Sequence, residues 1–241
     1  MNDLYVLTGG NGNLGKKYIK HISKFNEEIL CIDLIENNDA KYNITTDLTK
    51  EITINKVDQF LSKLKKINNI KFIHLAGIIG ESKNNDWVTN INNLGIEKSE
   101  LCYTLSVTMP AKLISIFTKY NFTNVVFINS IYGTHTPDFS LYKKNPNLQN
   151  PLSYGSIKAA QIYSMKWLNQ YYKNKVRINS VSPGGIESPN MDLNFKTLYK
   201  NKTLGNEFCT PEDVIFTSEY LLSEKGKSLY NQNLFLDYGF K

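Results

Sequence analysis

The sequence predicts a single α/β domain spanning residues 1–241, built on a doubly wound parallel sheet with helices on both faces. Three observations lead there. Short apolar runs alternate with helix-patterned segments along the chain, a glycine-rich turn joins the first run to the first helix, and no long linker, repeat or low-complexity block interrupts the alternation. A chain of 241 residues is also long enough to bury most of its apolar surface in one core.

Leu4 to Thr8 reads as the first strand. It runs straight into Thr8-Gly-Gly-Asn-Gly-Asn-Leu-Gly15, followed by a helical pattern through about Phe25. Strand, glycine turn and helix in that order are the context of a Rossmann-type dinucleotide site, because glycines let the backbone approach a pyrophosphate while the helix start aims free amides at it. Glu28 to Asp33 is a second buried strand with an acid at its carboxyl end, 18 residues after Gly15. An acid at about that distance accepts hydrogen bonds from the adenosine ribose and repels a 2'-phosphate, so NAD is favoured over NADP. Lys16 and Lys17 sit just inside the helix, where a solvated role is as good a reading as a phosphate contact.

Asp47-Leu48 follows in a loop, and Thr53 to about Ile67 has helical spacing at Val57, Phe60, Leu61 and Leu64. Ile70 to Ala76 is a third strand ending at Gly77, and the polar, Asn-rich stretch from Gly80 to Glu97 reads as a surface loop, with nothing in it that proves a substrate site. Lys98 to Tyr120 suits a long helix kinked at Pro110. Asn124 to Asn129 is a fourth strand that delivers Ser130 at its carboxyl end, where ligands bind in open parallel sheets. A turn-rich loop with Pro137, Pro146 and Pro151 leads to a helix reaching about Lys175. Val176 to Val181 is the next strand, Pro183-Gly-Gly185 opens a long loop to Cys209, Thr210-Pro-Glu-Asp213 caps another helix, and Asn233 to Asp237 is the last strand.

Tyr154 and Lys158 are four residues apart and share a helix face. A tyrosine with an ordinary pKa near ~10 is a poor base at neutral pH, and a nearby ammonium favours its phenolate. The pair is therefore a candidate for proton transfer.

Composition narrows the function classes. Hydrophobic residues at 41% and charged residues at 21% are the balance of a soluble globular protein. The first strand begins after three residues, which leaves no room for a secretory signal, and the apolar runs are too short to span a bilayer, so no membrane partner is expected. Cys31, Cys102 and Cys209 are odd in number and far apart, matching neither a disulfide framework nor a zinc site; a reducing, cytoplasmic setting without a metal follows. The net charge of +6 comes from 27 lysines and one arginine, Arg177, with the lysines on outer helix faces, as in Lys63-Leu-Lys-Lys66. Bidentate phosphate recognition is then nearly unavailable, and nucleic acid is not expected as a partner.

Taken in order, Thr8-Gly9 with its glycine turn, Asp47-Leu48, Ala76-Gly77, Ser130, Tyr154 with Lys158, Pro183-Gly184 and Leu236-Asp237-Tyr-Gly239 resemble the short-chain dehydrogenase/reductase family over essentially the whole chain. The resemblance implies a Rossmann fold, a small-molecule substrate, and hydride transfer between a nicotinamide cofactor and an alcohol or carbonyl. It implies Tyr154 as general acid/base, Ser130 hydrogen-bonding the reacting oxygen, and Lys158 gripping the nicotinamide ribose while depressing the tyrosine pKa. It also implies cofactor contacts from Gly9, Asn11, Gly12, Asn13, Leu14, Gly15, Asp33, Asp47, Leu48, Ala76, Gly77, Pro183, Gly184, Ile186 and Ser188. The family often has a relay asparagine where Ser106 stands here, 24 residues before Ser130. It often forms homodimers or homotetramers, and Trp167, Tyr171 and Tyr172 suit such a surface or a core.

Departures point inside the family. Asn13 replaces the middle glycine of its compact members, Gly12 carries the spacing of its extended members, and His74 replaces an asparagine. Ser130 and Tyr154 are 24 residues apart, wider than in compact members. Together with Pro137-Asp-Phe-Ser140 and Ser182-Pro-Gly-Gly-Ile186, the Ser130-Ile-Tyr-Gly133 stretch is similar to oxidoreductases of bacterial flagellin-glycosylation and surface-polysaccharide pathways, which implies a sugar or nucleotide-sugar substrate. His135 and Asp138 lie in the same loop and could meet hydroxyl groups, but a solvated loop role is the better reading of each. Two alternatives stay open: an epimerase or dehydratase that oxidises transiently, and a non-catalytic dinucleotide-binding protein.

Overall fold

Alternate residues of each central strand face opposite ways, and here both faces are apolar. Leu4 and Val6 pack with Leu30 and Ile32 on one side, while Tyr5 and Leu7 pack with Ile29 and Cys31 on the other. Such strands need cover on both faces, as in parallel α/β sheets. In the computed structural model, which describes all residues except 1, 26, 65–67, 79–94, 145–149 and 189–190, seven strands meet this demand. They are β1 (Leu4–Thr8), β2 (Glu28–Asp33), β3 (Tyr42–Thr45), β4 (Ile70–His74), β5 (Phe122–Ile128), β6 (Arg177–Pro183) and β7 (Asn233–Leu236). All neighbours pair parallel in the order β3-β2-β1-β4-β5-β6-β7. The order reverses at β1, next to β4, which makes a crevice at the carboxyl ends of those two strands.

The helices are α1 (Asn13–Ile22), α2 (Ile52–Lys63), α3 (Ile96–Tyr103), α4 (Met109–Phe117), α5 (Leu152–Tyr171), α6 (Leu193–Lys200) and α7 (Pro211–Leu222). One core holds side chains of α2, α4 and α5, among them Val57, Leu113, Phe117 and Met165. The other holds α1 and α7, through Tyr18, Ile19, Val214 and Leu221. Full burial of each such side chain stabilises the fold by roughly 1.5–3 kcal/mol.

Several expectations shift. The long helix is interrupted not at Pro110 itself but in the turn before it, where Thr104–Thr108 form a π-helical turn and the Met109 amide reaches back to the Thr104 carbonyl. A proline clashes with the carbonyl four residues earlier and offers it no N–H. Its effect therefore falls at Ser106. The segment between Pro183 and Cys209 is not all loop: it contains α6, whose cap Asp192 accepts from the Phe195 amide at 2.9 Å. Strand β3 was not expected, because its four residues include a single buried apolar one, Ile44. The helix after Thr53 ends at Lys63, and the one after Pro151 ends at Tyr171, ahead of the expected Lys175. The stretch expected as a loop over 80–97 lies outside the described residues up to 94, and α3 starts at Ile96.

The chain's single arginine has a structural role. Arg177 is buried and its Nη2 donates to the Leu221 and Ser223 carbonyls at 3.0 and 2.8 Å, closing the carboxyl end of α7. The other end of α7 is closed by the capping box of Thr210 and Asp213. Arg177→Met leaves both carbonyls without a donor, and we expect it to lower unfolding free energy by about 2 kcal/mol in urea titrations.

Candidate active site

The site begins where β1 ends. Gly9 has φ of 75°, in the left-handed region that favours glycine, and a Cβ there would lie 2.8 Å from the Ala76 backbone at the end of β4. At Gly15 a Cβ would strike the Gly9 carbonyl and come within 2.7 Å of Gly10 Cα. The turn is thus as tight as glycine allows. Gly12 caps α1 without any side-chain hydrogen bond, so the first amides of the helix, from Asn13, Leu14 and Gly15, are left for an anion. These residues fit the diphosphate of a dinucleotide: close backbone approach and a free helix start.

Asp33 stands beside this turn at the end of β2. Its Oδ2 accepts from the Asn11 amide at 2.8 Å and its Oδ1 from the Leu34 amide at 2.7 Å. Asn37, which sequence reasoning missed, is buried and donates through Nδ2 to the Gly10 carbonyl at 3.2 Å and to Asn11 Oδ1 at 3.1 Å. It ties the loop after β2 to the glycine turn, and an Asn-Asn-Asp turn gave no signal of that. Asp47 follows β3 and its carboxylate accepts from the Thr49 amide and hydroxyl at 2.8 and 2.7 Å, which holds its pKa below the usual carboxylate value. Leu48 is buried in the core beneath it.

At the end of β4, His74 is buried and its Nδ1 is 2.7 Å from Thr8 Oγ1. Burial, helped by the Lys158 ammonium, lowers its pKa to about 3, so the ring is neutral at ordinary pH. Ala76 is buried behind the glycine turn, and Gly77 is exposed beside Lys158: a Cβ on it would lie 4.0 Å from Nζ.

Strand β5 hands the chain to Ser130, and α5 presents Tyr154 and Lys158 to the same place. The Ser130 hydroxyl accepts from the Tyr132 amide at 3.2 Å and stands near enough to the Tyr154 phenol to act on its pKa. Two effects act on the Tyr154 phenol: burial raises its pKa and Ser130 lowers it, with burial the larger. The activation expected from Lys158 is not seen in this arrangement, because the ammonium is turned elsewhere. Lys158 Nζ donates to the Ile128 carbonyl at 3.0 Å and to Gln161 Oε1 at 3.3 Å, and burial lowers its own pKa to about 8. Ser106 is buried in the π turn, and the group linking it towards Lys158 is its carbonyl, not its hydroxyl: the carbonyl accepts from Gln161 Nε2 at 2.9 Å. Gln161 was also missed. Its signal was a polar residue three positions after Lys158 on the same helix face.

On the far side, Pro183 is buried at the end of β6, the Gly184 amide donates to the Leu236 carbonyl at 2.9 Å, and Ile186 bridges to Cys209. Ser188 is exposed and its carbonyl accepts from Met191. His135 and Asp138 take ordinary loop roles, the favoured reading of each. His135 Nδ1 lies 2.9 Å from Thr134 Oγ1 and the ring packs edge-on to Phe235, while Asp138 pairs with Lys202 at 2.8 Å and caps the turn at Ser140. The structure thus gathers Gly9 to Gly15, Asp33, Asp47, Ala76, Gly77, Ser130, Tyr154, Lys158 and Pro183 to Ile186 along one edge of the sheet.

Comparison with known proteins agrees with this geometry. The family model described as enoyl-(acyl carrier protein) reductase matches residues 22–241. The chain belongs to the short-chain dehydrogenase/reductase family of NAD(P)-dependent oxidoreductases. A search of curated protein sequences finds no match. Among solved structures, the chain is similar to a short chain dehydrogenase from Leptospira borgpetersenii with bound NAD+, at 23% identity and a TM-score of 0.85 over 100% of this chain and 93% of that one. It is similar to 4-hydroxyisoleucine dehydrogenase complexed with NADH, at 20% identity and 0.79 over 99% and 98% of the two chains. Ligand-free aldohexose dehydrogenase from Thermoplasma acidophilum matches at 15% identity and 0.79 over 99% and 93%. At these identities the structures establish the shared fold. No helix among the described residues is long and apolar enough to cross a membrane.

The neutral His74 has a consequence for stability. Unfolded, it takes a proton as pH falls through about 6.5; folded, it refuses one until about 3. Stability from this group is therefore present above pH ~6.5 and is lost on acidification below it, by up to about 1.4 kcal/mol per pH unit. Urea unfolding at a series of pH values should show a shallower acid limb for His74→Asn than for the native protein.

Proposed function

We propose that this chain is an NAD-dependent oxidoreductase that interconverts an alcohol and a ketone on a sugar or nucleotide-sugar derivative. The observation that carries the reading is the Ser130 hydroxyl beside the half-buried Tyr154 phenol, at the end of β5 and on the same edge as the glycine turn and Asp33. A nicotinamide dinucleotide, when bound, supplies the hydride acceptor or donor. Gly9 to Gly15 hold its diphosphate, Asp33 its adenosine ribose, and Asp47, Leu48, Ala76 and Gly77 continue the cradle towards Lys158. Pro183, Gly184, Ile186 and Ser188 close the nicotinamide side.

Ser130 donates a hydrogen bond to the substrate oxygen, and Tyr154 takes the hydroxyl proton as the hydride leaves the same carbon. In the reverse direction Tyr154 returns the proton to the carbonyl oxygen. Lys158 would grip the nicotinamide ribose. The carboxylate of Asp33 favours NAD because a 2'-phosphate would bring like charges together. The sugar substrate rests on the motifs between Ser130 and Ile186, and the name of the aldohexose dehydrogenase points the same way. A second copy of the chain is the proposed partner of the stripe formed by Tyr163, Trp167 and Tyr171 on α5, all exposed, with Trp167 and Tyr171 stacked at 5.1 Å.

Three outcomes are expected. NADH formation over a panel of sugars, sugar phosphates and nucleotide sugars should find a substrate with net, stoichiometric reduction of NAD, and Tyr154→Phe should lower its kcat by about 10³-fold. Product epimerised without accumulated NADH would favour transient oxidation instead. Fluorescence titration should give tighter binding of NADH than NADPH, and Asp33→Ser should narrow that gap. Light scattering should report a dimer or larger assembly that Trp167→Glu weakens.

A further inference from the structure

Gln161 is fully buried in α5, yet neither of its amide atoms bonds the backbone of its own helix. Its Nε2 donates to the Ser106 carbonyl at 2.9 Å and its Oε1 accepts from Lys158 Nζ at 3.3 Å. In a regular α-helix the Ser106 carbonyl would take the amide hydrogen of residue 110. That residue is Pro110, which has none. A buried carbonyl left this way requires another donor.

We infer that Gln161 is a positioning residue for Lys158, anchored on the carbonyl that Pro110 frees in the π turn and holding the ammonium beneath the carboxyl ends of β4 and β5. The anchor also fixes the orientation of the amide. A carbonyl only accepts, so Nε2 must face Ser106 and Oε1 must face Lys158. The lysine thus meets an acceptor at a fixed point, and an acceptor favours its charged form. The groups that face Lys158 are His74 from β4, Gly77 after it, the Ile128 carbonyl at the end of β5 and Gln161 one turn along α5. Among the described residues no carboxylate acts on it. The Gln161 amide is therefore, with the Ile128 carbonyl, one of two acceptors that oppose its desolvation. The functional consequence rests on the reading of Lys158 as the ribose-gripping group.

The test separates the two. Protein labelled with carbon-13 at lysine Cε, with the Lys158 signal assigned by its loss in Lys158→Met, is titrated by NMR. Gln161→Met should lower the Lys158 midpoint and Gln161→Glu should raise it, each by about one pH unit. NADH affinity, read by fluorescence, should fall about tenfold in Gln161→Met. If both midpoints stay where the native protein has them while only the melting temperature drops, Gln161 is a packing group and the inference is overturned. If Gln161→Met does not fold, the Gln161→Glu midpoint decides alone: a rise supports the inference and an unmoved value overturns it. Native protein that fails to bind NADH would remove the cofactor reading and leave the titration result standing.

Discussion

Lys158 carries an ammonium that the fold has taken almost out of water, and much of the site is arranged around that cost. A buried charge without compensation destabilises a protein by several kcal/mol, so its N–H groups need acceptors. The Ile128 carbonyl and Gln161 take two of the three, and among the described residues the third has no partner. Among the described residues no carboxylate acts on the charge, and burial lowers its pKa to about 8. The same field reaches His74, where it adds to burial in keeping the ring neutral. Among the described residues this cation has no carboxylate partner under β4 and β5, while Asp33 and Asp47 lie at the β2 and β3 end of the same edge.

The elements that the sequence announced are those whose signal is local. Leu4–Thr8 and Glu28–Asp33 are runs of apolar residues wanted on both faces, and they appear with the expected bounds. The capping box at Thr210 is a four-residue pattern that forms as written. Ser130 and Tyr154 were legible because strand ends and helix starts converge in a parallel sheet. What was not legible depends on contacts between distant segments. Strand β3 exists because β2 offers it an edge, and α6 exists because Tyr199 finds Phe208 and Phe240 to stack on, at 4.5 and 5.2 Å. Gln161 belongs with these. Its role follows from a proline fifty residues away, and its own helix pattern says only that a polar group faces inward.

Pro110 shows how a correct local reading can be placed on the wrong turn. The proline does disturb its helix, but it does so through the carbonyl four residues back. The freed group becomes usable because it opens towards α5, where a side-chain amide meets it. Had Pro110 been an alanine, a regular turn would have closed that carbonyl on its own helix. Gln161 would then hold a donor with no acceptor at that point.

The wide spacing between Ser130 and Tyr154 has a physical meaning apart from any substrate. Gly133 and Gly155 let the chain after Ser130 lie directly on α5: a Cβ at Gly133 would meet Ile162 Cδ1 at 2.8 Å, and one at Gly155 would meet the Tyr132 carbonyl at 3.0 Å. The serine and tyrosine are thus brought together by backbone contact next to each of them, and the length of chain between is free to vary. The extra residues build a wall. Tyr142 returns to hydrogen-bond Tyr132 at 2.9 Å, and it packs with Tyr199, Phe208 and Phe240 in a separate apolar cluster. Tyr199 in turn takes the Gly185 amide at 2.5 Å. Through that bond the wall sets the position of the Gly184-Gly185 loop. A change in the inserted segment therefore acts on the loop after β6 through α6, while the serine–tyrosine geometry stays fixed by the two glycines.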